Sequence, residues 1–144
     1  MKVLVDTCVW SQVLRHKSPV PELADKLNEL IQDGRVVMIG PIRQELLSGI
    51  SDTFQFKRLK KAFSAFEDIA LTTNHFIKAA EFSNICRNKG IQGSTIDFLI
   101  CAVANIENLI IFTTDKDFEN YKKHLPIRLN YPPCGKTTGY QKSF

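Results

Sequence analysis

The sequence predicts an α/β fold, a parallel sheet flanked by helices on both faces. Three observations carry this expectation. Short apolar runs alternate with stretches of helical periodicity, the pattern of a parallel sheet with crossover helices. Two of the runs stop abruptly on polar residues, Val5 at Asp6-Thr7 and Phe112 at Thr113-Thr114-Asp115. A third stretch, Phe98 to Ala104, is apolar nearly all round a helix, and such a helix is buried. Crossovers are expected to be right-handed. Ligands then bind beyond the carboxyl ends of the strands, so Asp6 and Asp115 are expected on one rim.

The elements follow in order. Lys2–Val5 reads as a strand, and residues 7–15 as a helix. Ser18-Pro19-Val20-Pro21 breaks the chain. Glu22–Gln32 is a helix with Leu23, Leu27, Leu30 and Ile31 on one face, stopped by Gly34. Val36–Ile39 is a second strand, and Gly40-Pro41 starts a helix from Ile42, since Pro suits a first turn. In Phe54–Phe66 the apolar positions 56, 59, 63 and 66 have helical spacing, with basic residues mostly between them. Ile69–Leu71 reads as a short strand and residues 74–88 as a helix. Gly90 and Gly93 open a loop, and Ser94 or Thr95 caps a helix through Ile106. Leu109–Phe112 is a strand, Asp117–Lys123 a short helix and Pro126–Leu129 a last strand.

At 144 residues the chain is one ordinary domain in length. Hydrophobic residues make up 44% and charged residues 24%, the balance of a soluble globular protein. No apolar run nears the roughly 18 to 20 residues that span a membrane. An acid at position 6 interrupts the N-terminus too early for a signal peptide. A cytoplasmic location is expected. Cys8, Cys86, Cys101 and Cys134 form no C-x-x-C pair, and reduced, structural thiols are expected.

The net charge of +4 is unevenly placed. Lys57, Arg58, Lys60 and Lys61 cluster, and after Glu119 come Lys122, Lys123, Arg128, Lys136 and Lys142 with no acid. A polyanion would suit either cluster, and so would a plain solvated face.

The acids carry more information. Asp6 follows four strand residues, Glu45 lies between Ile42 and Leu46-Leu47, and Asp97 opens the most apolar helix. Each has an ordinary explanation. Asp6 and Asp97 sit where helix caps or dipole partners sit, Glu45 has Arg43 nearby, and Asp115 suits a turn. Together those explanations must account for four acids at apolar edges, most without an adjacent cation. Converging carboxylates repel and raise one another's pKa, a cost that Mg²⁺ or Mn²⁺ removes through oxygen ligation.

Four motifs resemble the PIN-domain family, in particular its VapC-type toxins. They are Val3-Leu4-Val5-Asp6-Thr7-Cys8-Val9-Trp10, Pro41-Ile42-Arg43-Gln44-Glu45-Leu46-Leu47-Ser48-Gly49, Gly93-Ser94-Thr95-Ile96-Asp97-Phe98-Leu99-Ile100-Cys101-Ala102-Val103-Ala104, and Ile111-Phe112-Thr113-Thr114-Asp115-Lys116-Asp117-Phe118. The resemblance covers residues 2 to about 129 and implies a nuclease domain over 1–130 with a tail at 131–144. It implies a metal-dependent endoribonuclease using Mg²⁺ or Mn²⁺, a homodimer, an RNA substrate and a cognate antitoxin that inhibits it. Asp6, Glu45, Asp97 and Asp115 become the catalytic metal-site acids, with Asp117 an alternative or additional ligand. Thr7 and Thr113 become supporting residues. Lys57, Arg58, Lys60 and Lys61 become candidates for holding the RNA backbone.

A non-catalytic module of the same fold, binding RNA or protein, is the rival reading. A haloacid-dehalogenase-like phosphatase is disfavoured because position 8 is Cys where that family wants a second Asp. Gly135-Lys136-Thr137 lacks the upstream Gly and following helix of a P-loop. His16, His75 and His124 have no nucleophile elbow near them and read as surface or local hydrogen-bonding residues. Trp10 and the Phe residues read as core, with Trp10 close enough to Asp6 to border a cleft.

Overall fold

The computed structural model describes residues 1–15 and 20–130. The 131–144 tail lies outside the described residues, together with Cys134, Lys136 and Lys142, and so do His16 and the break at Ser18-Pro19.

The chain forms β1 (Val3–Val5), α1 (Thr7–Arg15), α2 (Pro21–Gln32), β2 (Val36–Val37), α3 (Gly40–Leu47), α4 (Thr53–Phe63), α5 (Thr73–Asn88), α6 (Thr95–Ile106), β3 (Ile110–Phe112), α7 (Asp117–Lys122) and β4 (Arg128–Asn130). The four strands make one parallel sheet in the order β2-β1-β3-β4. Val3, Leu4 and Val5 are fully buried, as a central parallel strand covered on both faces must be. The chain leaves β1 toward β2 and later returns past it to β3, so the connections diverge between β1 and β3. In open α/β sheets that divergence leaves a crevice at the carboxyl ends of the strands. Val5 pairs with Phe112, and Asp6 N–H donates to the Phe112 carbonyl at 2.9 Å. The two polar strand ends therefore lie side by side.

Helix α6 has seven consecutive buried residues, Phe98 to Ala104, and packs most extensively on α5. Ser94 Oγ accepts from Asp97 N–H at 3.1 Å and caps α6. His75 is buried between α5 and α6 and works locally. Its Nδ1 accepts from Thr72 N–H at 3.0 Å, and its Nε2 meets Glu107 at 2.8 Å. Trp10 is core and not cleft: it is 3% exposed and packs edge-on against Phe63 and Phe66.

Two expectations change. Ile69–Leu71 is not a strand. Pairing there shrinks to one parallel bridge between Met38 and Asp68, with Ile69 N–H donating to the Met38 carbonyl at 2.9 Å. Arg43 explains the arrangement. Its guanidinium holds Asp68 at 2.8 Å and donates to the carbonyls of Phe63 and Phe66, which ties the segment after α4 to α3 as a loop. The helical spacing in Phe54–Phe66 also overstates burial. Helix α4 ends at Phe63, its one buried residue, while Phe54 is 67% and Phe56 36% exposed.

Candidate active site: an acidic rim

Asp6 ends β1 and is 7% exposed. Its Oδ1 accepts from Thr7 N–H at 2.8 Å. Its Oδ2 accepts from the Thr113 hydroxyl at 2.8 Å and from the Cys8 thiol at 3.4 Å. Burial pushes the Asp6 carboxyl above the ordinary Asp range, and the charge of Asp97 adds to the rise, while the hydrogen bonds from Thr113, Cys8 and Thr7 oppose it.

Thr113, directly after β3, joins two acids: its hydroxyl donates to Asp6 and accepts from Asp115 N–H at 3.0 Å. Asp115 Oδ1 in turn accepts from Asp117 N–H at 2.9 Å, which starts the turn into α7. Asp97 reaches the same rim from the first turn of α6. Burial raises its pKa, and the charges of Asp115 and Asp117 add to the rise. Ligand oxygens from Asp97, Asp115 and Asp117 all lie within 4.8 Å of one another. Asp115 and Asp117 thus each offer an oxygen beside Asp97.

Glu45 stands apart from that trio. The flanking Ile42 and Leu46 are buried, but Glu45 itself points outward and is exposed. Ile42 and Leu46 form the buried stripe of α3, and Glu45 lies at its exposed margin. It does not pair with Arg43, which is committed to Asp68. Thr7 Oγ1 donates to Glu45 Oε1 at 2.7 Å, so the residue after Asp6 ties Glu45 to that end of the rim. Lys57, Arg58, Lys60 and Lys61 are all exposed on α4, with the Arg58 guanidinium 5.9 Å from the Phe54 ring centre.

Tyr121, Cys8, Gln12 and Thr114 were not legible as site residues. Tyr121 OH donates to Asp97 Oδ2 at 2.7 Å. One signal was available: Tyr121 follows Asp117 by four positions, hence on the same face of α7. Its reach also depends on Gly93, where a Cβ would stand 2.5 Å from the Tyr121 hydroxyl and 2.8 Å from Phe98 Cζ. Cys8 is a free thiol whose sulfur lies within hydrogen-bonding distance of Asp6, Thr113 and Thr114.

Asp6, Asp97, Asp115 and Asp117 form no ion pair with Lys, Arg or His among the described residues. Converging oxygens of Asp97, Asp115 and Asp117, without an ion pair among the described residues, make a donor set that fits a hard divalent cation.

The fold and this rim define a class. The chain belongs to the PIN domain family, which it matches over residues 3–124. Solved structures with the same fold include FitAcB from Neisseria gonorrhoeae, with TM-score 0.74 and 19% identity over 90% of this chain and 97% of that one. VapBC-1 from nontypeable Haemophilus influenzae gives TM-score 0.72 and 15% identity over 91% and 98% of the two chains. VapBC2 from Rickettsia felis, bound to a DNA fragment from its promoter, gives 0.70 and 20% over 91% and 98%. No curated protein matches the chain significantly.

Proposed function

We infer that this chain is a metal-dependent endoribonuclease and the toxin of a type II toxin–antitoxin pair, hydrolysing RNA phosphodiester bonds at the acidic rim. The observation that carries the chemistry is the trio Asp97, Asp115 and Asp117, with ligand oxygens within 4.8 Å and no ion pair to any of them among the described residues. Mg²⁺ or Mn²⁺ held there would supply a Lewis acid for the phosphoryl group and lower the pKa of a water. Asp6 and Glu45 extend the anionic surface along the rim, and Thr7 and Thr113 orient them. Tyr121 fixes the rotation of Asp97, which keeps the trio converged. The exposed basic face of α4 supplies Lys57, Arg58, Lys60 and Lys61 for the RNA backbone.

The toxin assignment draws on solved structures of the same fold that are VapBC and FitAB proteins. A homodimer fits Phe76 and Ile77, each 53% exposed on α5. The decisive experiment incubates purified protein with RNA and Mn²⁺ or Mg²⁺. Internal cleavage that chelator abolishes and Asp97→Asn loses is the expected result. Absence of cleavage together with absence of Mn²⁺ binding would favour a non-catalytic RNA- or protein-binding module. Co-purification with the product of an adjacent small gene tests the antitoxin pairing.

A further inference from the structure

A chain of polar side chains behind Asp6 is not accounted for by metal ligation. Gln12 on α1 donates through Nε2 to Thr114 Oγ1 at 2.9 Å. Thr114 Oγ1 donates to Cys8 Sγ at 3.2 Å, and Thr114 N–H points to the same sulfur at 3.4 Å. Cys8 Sγ reaches Asp6 Oδ2 at 3.4 Å.

Donor chemistry orders these protons. An amide nitrogen only donates, so Thr114 Oγ1 must accept from Gln12 and spend its one proton on sulfur. An ionised carboxylate only accepts, so the thiol is the donor of the Cys8–Asp6 contact, and its other acceptor at 3.4 Å is Thr113 Oγ1, which itself donates to Asp6. Every proton in the chain is thus directed toward the carboxylate. The residues come from two neighbouring segments: Cys8 and Gln12 lie one turn apart on α1, and Thr114 follows β3. Thr114 is 8% exposed and Gln12 half-buried, which shields the chain from exchange with water.

The count on Asp6 shows what the chain does. A carboxylate has about four lone-pair sites. Thr113 and Cys8 fill those of Oδ2, and Thr7 N–H takes one on Oδ1. About one site remains, and it is on Oδ1.

We propose that Cys8 is a positioning residue which, through the Gln12–Thr114–Cys8 relay, locks Asp6 so that only Oδ1 is presented to a divalent cation. The proposal rests on the metal-binding reading of the rim. Cys8 acts through Asp6 and touches no substrate.

The test measures Mn²⁺ affinity of the full chain by calorimetry, with thermal unfolding in chelator as a check on folding. Losing a group that orients a metal ligand costs roughly 10- to 100-fold in affinity. Cys8→Ala and Thr114→Val are each expected to weaken Mn²⁺ binding about tenfold, while Cys8→Ser, which keeps a donor, stays within about threefold of the parent. Because both act on one relay, the double variant Cys8→Ala/Thr114→Val should lose about tenfold and not the product of about a hundredfold. Parent affinity in Cys8→Ala, or Cys8→Ser no better than Cys8→Ala, overturns the proposal. So does full additivity in the double variant. If Cys8→Ala does not fold, Gln12→Ala at the far end of the relay carries the test, and parent affinity there overturns it. A parent chain that binds no Mn²⁺ sinks the metal reading itself. A parent that binds while Cys8→Ala is indifferent sinks the relay alone.

Discussion

The Arg43 clamp and the acidic rim each gather polar groups from distant parts of the chain, but only one balances its charge. At the clamp, one guanidinium meets one carboxylate, Asp68, and two carbonyls. Its donors are matched by acceptors, and the result holds a loop against α3. At the rim, carboxylates from α6, the turn after β3 and α7 face one another with hydroxyl and amide donors but no ion pair among the described residues. Crowded carboxylates raise one another's cost of ionisation. The clamp is explained by stability alone, whereas the rim has the donor set that suits a ligand of opposite charge.

The sharpest way to break this contrast is activity. Asp97→Asn and Asp6→Asn are each expected to lower RNA hydrolysis by about 100-fold or more, given the several kcal/mol of charge stabilisation a metal site supplies. Cleavage at the parent rate by both variants would end the metal-site assignment. The clamp should show the reverse pattern. Arg43→Ala should cost about 2 kcal/mol in urea unfolding, the scale of charge-assisted hydrogen bonds lost, while its stabilisation by Mn²⁺ persists.

Gly93→Ala forces Tyr121 and Phe98 to move, and should cost about 1–3 kcal/mol as overpacking does. It should also weaken Mn²⁺ binding, because Tyr121 leaves Asp97. A purely structural glycine would leave that affinity alone.

Mn²⁺ at about ten times its dissociation constant should add about 1.4 kcal/mol, or about 4 °C in melting temperature. Asp97→Asn should show no such rise. The smallest effect is in pH. Burial holds the Asp6 and Asp97 carboxyls above the ordinary Asp value of 3.8, so the native state holds these protons more tightly than the unfolded chain. Their contribution to metal-free stability is most favourable below 3.8 and is lost as pH rises through the raised values. Melting in chelator should therefore reveal a component that falls with pH above about 4 and vanishes in Asp6→Asn/Asp97→Asn. A component that instead rises with pH would contradict the burial of these acids.

The sequence by itself determined the α/β class, the placement of β1, β3 and the buried helix α6, and the acids at their ends. These are local matters: hydrophobic periodicity and Ser94 capping act within a few residues, and a strand that stops at an acid puts that acid on the rim. The bridge at Asp68 was not legible, because it depends on Arg43 reaching across from α3. Nor was the exposure of Glu45, which lies at the margin of the buried stripe formed by Ile42 and Leu46. Tertiary structure alone brought Asp117 level with Asp115 against Asp97, set Tyr121 on Asp97 through the space left at Gly93, and turned Cys8 into a donor to Asp6. The Tyr121–Asp97 contact joins positions 24 residues apart, and the Thr114–Cys8 contact behind the thiol joins positions 106 apart, while Cys8 and Asp6 themselves are only two apart. Only the parallel pairing of β1 with β3, and the packing of α6 and α7 beside it, brings such positions within hydrogen-bonding distance.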